Sequence, residues 1–133
     1  MRALALRLAA AMVVIAGVAS GSLAAGPAGD PAKGQKVFAR CMACHKIDAS
    51  NTSGLGPNLN GVVGRRAGTL KGFRYSPAMS GSGMVWNEAT LDAYLSAPAR
   101  NMPGNRMAFP GLSKPEERRD VIAYIRAKTN KTK

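Results

Sequence analysis

The sequence predicts an all-α domain, a few capped helices joined by long ordered loops. Helix-start signals stand at three places: Asp30 before Pro31, Asn87 before Glu88, and Ser113-Lys114-Pro115-Glu116 with capping-box spacing. Between them, residues 47–82 are rich in Gly, Ser, Asn and Pro and keep neither a helical nor an alternating period. A third observation concerns filling. The chain has 133 residues but only one Trp, three Tyr and three Phe, and 15 glycines add to the entropy lost on folding. So few bulky side chains leave a core short of material, and something else is expected to fill it.

In chain order, residues 1–24 come first. Arg2 and Arg7 precede an apolar run from Leu8 to Ala19, and Ser22-Leu23-Ala24 ends the stretch with small residues spaced as at a cleavage site. The run is about a dozen residues, too short to cross a bilayer comfortably, so it reads as a secretory signal. Removing it leaves residues 25–133, a single domain of about a hundred residues. The hydrophobic fraction falls from 46% to roughly 39% in the part that must fold. An integral membrane protein and a disulfide-dense mini-scaffold are both excluded, the latter because the chain has only two cysteines.

Asp30 as N-cap and Pro31 at the first helical position start a helix expected to reach Arg40 or beyond. Gly34 lies one turn before Phe38 on the same face; a helical glycine costs about 1 kcal/mol, which points to a packing reason. Residues 47–82 read as ordered loops, because free loop of that length is anomalous in a compact domain. A short helix, Glu88 to Ala97, presents Leu91, Tyr94 and Leu95 until Pro98 stops it. The last helix runs to about Lys128 with Val121, Tyr124 and Ile125 on its apolar face, and the tail Lys131–Lys133 is expected to fray.

The chemistry sits in Cys41-Met42-Ala43-Cys44-His45. A structural zinc site needs four ligands, and the chain's two cysteines and single histidine give three. A thioredoxin-like pair needs a strand–helix setting, which the sequence lacks. A disulfide across two intervening residues closes a small, strained ring. Covalent haem attachment fits: both thiols add to the vinyl groups, and the adjoining imidazole turns onto the iron. An exported chain with an under-filled core agrees with this reading. His45 being the only histidine, the far side of the iron is left open or taken by a Met or a Lys. Met42 is locked between the thiols; Met79 and Met84 read as gap-fillers in a Ser/Gly-rich loop. Met107 lies in a loop stiffened by Pro103-Gly104 and Phe109-Pro110-Gly111, and Met102 competes with it.

With these residues in view, the sequence resembles the class I c-type cytochromes of the mitochondrial type, found among bacterial periplasmic electron carriers. The resemblance rests on Gly34 to Phe38, Cys41 to His45, Gly56 to Gly61, Gly64-Arg65, Trp86, Tyr94-Leu95, Pro103 to Met107 and Val121 to Ile125, all in family order. It implies the cytochrome c fold, three or more helices and long loops wrapped around one haem c. The first and last helices would cross at Gly34 and Phe38 against Val121 and Tyr124. The resemblance puts Met107 in the ligand position opposite His45, with the Pro57 carbonyl accepting from the imidazole. Arg65, Tyr75 and Trp86 would meet the haem propionates, and Tyr94 would place its hydroxyl near the Met107 sulfur. Two departures stand out: Met79 where a polar residue is common, and Asn105 where Thr is commoner.

The formal net charge of +12 speaks to partners, not fold. An exported chain without a basic helix or stacking aromatics is not expected to bind nucleic acid. The resemblance implies a basic ring of Lys36, Arg40, Arg100, Arg106 and Lys114 that docks transiently on acidic redox partners, thinned by Ala99 where Lys is frequent. The implied function is that of a periplasmic, monomeric carrier taking electrons from a quinol–cytochrome c reductase complex. Its acceptor would be a terminal oxidase or a photosynthetic reaction centre. A haem enzyme or gas sensor with a displaceable ligand, and a dedicated donor to one periplasmic oxidoreductase, are the alternatives.

Overall fold

The computed structural model describes residues 26–129. The expected signal, residues 1–24, and the tail Lys131–Lys133 lie outside them. Five helices occur among the described residues: α1 Pro31–Phe38, α2 Pro77–Ser80, α3 Glu88–Ser96, α4 Pro98–Asn101 and α5 Pro115–Thr129. Strand structure is limited there to one isolated antiparallel bridge between Arg66 and Val85.

The Asp30 carboxylate accepts from the N–H groups of Ala32 and Lys33 at 2.8 and 3.2 Å, fixing the start of α1. The helix ends at Phe38, short of the expected Arg40. Beyond it the backbone tightens: Cys41 N–H donates to the Phe38 carbonyl (2.8 Å) and Cys44 N–H to the Cys41 carbonyl (3.1 Å). Three-residue spacing of this kind is the usual way a helix end satisfies its last carbonyls. α3 opens on a reciprocal cap, Asn87 Oδ1 accepting from Thr90 N–H while Thr90 Oγ1 accepts from Asn87 N–H, both at 2.9 Å. Pro98 does end α3, as expected, but it also opens α4, because its fixed φ suits a first helical position. The capping box expected at Ser113 is out of register by one. α5 begins at Pro115, so Lys114 takes the cap position and its carbonyl accepts from Arg118 N–H at 3.3 Å. α2, inside the long loop, is a single turn without periodicity in sequence; Ser76 caps it through Met79 N–H at 3.2 Å.

α1 and α5 form the main helix contact. The Asp30 N–H donates to Asp120 Oδ1 at 2.8 Å, and the Phe38 and Tyr124 rings pack in a tilted pair with centroids 5.1 Å apart. Gly34 sits where the backbones meet: a Cβ there would overlap the Asp120 carbonyl and lie 2.8 Å from Tyr124 Cβ. That is the packing reason for a glycine inside a helix. Arg40 reaches across the same pair to grip Glu117 with both terminal guanidinium nitrogens, 3.2 and 2.9 Å. The hydrogen bond to Arg40 holds the Glu117 carboxyl below its ordinary range. The buried apolar residues gather from all the longer elements: Val37 and Phe38 of α1, Leu91 and Tyr94 of α3, Val121, Ile122 and Ile125 of α5, and Leu112 before it.

Candidate cofactor site

The loop after α1 folds back so that His45 N–H donates to the Cys41 carbonyl at 2.9 Å. This turn brings both thiols and the imidazole to one cavity of about 460 Å³. A packed core leaves few voids larger than one water, so a space of this size is built to hold something. All nine residues singled out in sequence line it: Cys41, Cys44, His45, Pro57, Arg65, Tyr75, Trp86, Tyr94 and Met107. Met102, the competing sulfur, is not among its lining residues and is buried in the core at 5% exposure. Met79, read as a gap-filler, lines the cavity from α2.

The 54–58 segment secures the histidine. Gly56 N–H donates to the Cys44 carbonyl at 2.8 Å, and the Pro57 carbonyl lies 2.8 Å from His45 Nδ1. A carbonyl only accepts, so Nδ1 carries the proton and Nε2 keeps its lone pair for a metal. Burial pushes the imidazole pKa down while the Pro57 hydrogen bond pulls the other way, and the net direction is downward. Gly56 is required by close approach: a Cβ there would lie 2.5 Å from His45 Cε1. Behind this segment Asn58, fully buried, spends its amide on the Asp48 and Thr52 carbonyls, each at 3.2 Å. Burial also raises the Cys41 thiol pKa, outweighing the nearby Arg40 charge. That is the opposite of the low-pKa setting of a redox or nucleophilic cysteine.

Tyr94 stands over Met107, its hydroxyl 3.8 Å from the sulfur and 3.3 Å from Asn105 Oδ1. Burial pushes its pKa up to about 12, so the hydroxyl keeps its proton at neutral pH and remains a donor. Its ring packs against Trp86 with centroids 5.1 Å apart. Arg65 is half-buried, donating to the Asn60 and Asn58 carbonyls at 3.1 and 3.0 Å. Desolvation lowers its pKa, with Tyr75 working the other way.

Much of the remaining lining is apolar and includes Leu55, Leu59, Phe73, Leu91, Phe109 and Leu112. Among the described residues no Asp or Glu lines the cavity, whereas Arg40, Arg65, Arg74 and Arg106 do. An occupant with a broad apolar body and anionic groups suits such a lining. Two thiols, an imidazole with a free Nε2 and a thioether add the donor set of a haem, so the residues present fit that cofactor. Sequence reasoning missed Phe73, Arg74, Leu55 and Leu59, which come from the aperiodic loop. Leu91, Val121 and Ile125 were legible as helix faces, though as core and not as cavity wall.

Residues 31–128 match the cytochrome c family. The chain is 50% identical over 98 residues to cytochrome c2 of Rhodoblastus acidophilus, covering 74% of this chain and 92% of that one. It is 47% identical over 109 residues to cytochrome c of Chlamydomonas reinhardtii, covering 81% and 97%. Among solved structures, cytochrome cH from Methylobacterium extorquens superposes with a TM-score of 0.71 at 43% identity, covering 74% of this chain and 99% of that one.

Proposed function

Because the chain belongs to the cytochrome c family, whose members bind haem c covalently and carry electrons, we propose that it is a periplasmic single-electron carrier rather than an enzyme. Its donor would be a quinol–cytochrome c reductase complex, and its acceptor a terminal oxidase or a photosynthetic reaction centre. One observation carries the reading: His45 and Met107 line the same cavity as both cysteines, and Met102 does not. Bound there, haem c supplies a one-electron iron couple.

The chain's own residues set the character of that couple. Cys41 and Cys44 would anchor the group through thioether bonds, and His45 would present Nε2 with its ring held by Pro57. Met107 offers a soft, neutral sulfur, which favours ferrous iron; the Tyr94 hydroxyl beside it helps fix the sulfur's position. Arg65 and Arg74, with Tyr75 and Trp86, line the cavity and would supply partners for the group's carboxylates. With His45 and Met107 both supplying ligands, the bound group would have no coordination site left for a substrate.

Carbon monoxide added to the reduced holoprotein near neutral pH is therefore expected to bind negligibly. Rapid, tight binding would replace the carrier reading with that of a haem enzyme or gas sensor.

Lys36, Arg40, Arg100, Arg106 and Lys114 are all exposed, and Arg40 and Arg106 also line the cavity. They support a docking face for acidic partners, although Glu117 already engages Arg40. Electron transfer to the partner is expected to slow as ionic strength rises from 0.01 M, where the Debye length is about 30 Å, to 0.15 M, where it is about 8 Å. A rate independent of salt would remove this face from the proposal. A dedicated donor to one oxidoreductase would use the same chemistry and the same face.

A further inference from the structure

The side chain of Asn105 is fully engaged. Its Nδ2 donates to the carbonyls of Pro98 and Met102, at 2.9 and 2.8 Å. Its Oδ1 accepts from Met107 N–H at 2.8 Å and lies 3.3 Å from the Tyr94 hydroxyl. One amide thus joins the two ends of α4, the backbone of Met107 and the residue that stands over the Met107 sulfur. Apart from these bonds the loop has two backbone hydrogen bonds, Asn105 N–H to the Met102 carbonyl at 3.1 Å and Phe109 N–H to the Met107 carbonyl at 2.9 Å, while Pro103, Gly104, Arg106 and Ala108 are exposed.

We propose that Asn105 is the positioning residue of this site, the clamp that keeps the Met107 sulfur in place, a reading that rests on Met107 as the iron's second ligand. Oδ1 and the sulfur stand before the same Tyr94 hydroxyl, so Asn105 also limits how far that hydroxyl is committed to sulfur. A threonine here could accept from Met107 N–H but could not donate to two carbonyls at once. The clamp is therefore a property of the amide.

The test uses ferric holoprotein and follows the weak sulfur-to-iron absorption band, with imidazole as the competing ligand. Opening of the loop limits imidazole capture, and each net hydrogen bond lost shifts such an opening several-fold. Asn105→Ala is expected to raise the capture rate about 10- to 100-fold. On heating, its band is expected to disappear well below the temperature at which far-ultraviolet dichroism reports global unfolding. Asn105→Thr, which restores one acceptor, is expected to fall between the variant and wild type. It serves as the informative variant if Asn105→Ala does not fold. An unchanged capture rate, or band and dichroism shifting together by the same amount, would overturn the clamp while leaving the ligand assignment intact. Absence of the band from wild type would overturn both.

Discussion

A Gly34→Ala variant of the holoprotein is expected to melt roughly 15 °C below wild type, corresponding to a loss of about 3 kcal/mol. In an unobstructed helix the same change would stabilise by about 1 kcal/mol, because alanine is the better helix former. Here the added methyl meets backbone, the Asp120 carbonyl, together with Tyr124 Cβ at 2.8 Å. A carbonyl of α5 cannot rotate aside as a side-chain tip could, so α1 and α5 must separate. Separation would loosen the Phe38–Tyr124 contact and the Asp30–Asp120 hydrogen bond together. Thermal melts followed by circular dichroism decide the sign. A variant as stable as wild type would show that the helices do not cross as closely as described.

The second large effect is expected from Met107→Ala. The ferric variant should lose the sulfur-to-iron band, and its reduced form should bind carbon monoxide rapidly. Its potential should fall by roughly 120 mV, equivalent to two decades of ferrous preference at 59 mV per decade for one electron. The direction follows from the ligand. A neutral thioether favours the ferrous ion, whereas water or a stray nitrogen donor in its place favours the ferric one. Survival of the band would transfer the role to another sulfur, and the buried position of Met102 makes that an informative failure.

What could be read from the sequence and what could not divide along a physical line. Local chemistry was legible. Asp30 and Asn87 act as caps because a short side chain reaches its own backbone two or three residues on, whatever the rest of the fold does. The cysteine–histidine motif was legible for the same reason: its chemistry is complete within five residues. The Ser113 register failed because Pro115 at the first helical position outweighed a serine two residues earlier. Phe73, Arg74 and Leu55 line the cavity from a segment with no period, so nothing local distinguishes them from loop residues elsewhere. Arg40 illustrates another gap. Its charge suggests a free docking group, but Glu117 holds it from 77 positions away. Spacing in sequence cannot reveal a pair like that.

The hydrogen bond from Asp30 to Asp120 spans 90 positions. In mechanical terms the chain is a ring, clasped where its first and last helices meet. The segments around the cavity are spans of that ring and not free arms, so slack gained in one must be taken up by another. The entropy of closing so long a loop grows only with the logarithm of its length, about 0.6 kcal/mol per doubling. Extra residues inserted on the exposed Gly81–Gly83 bend would therefore cost the clasp little.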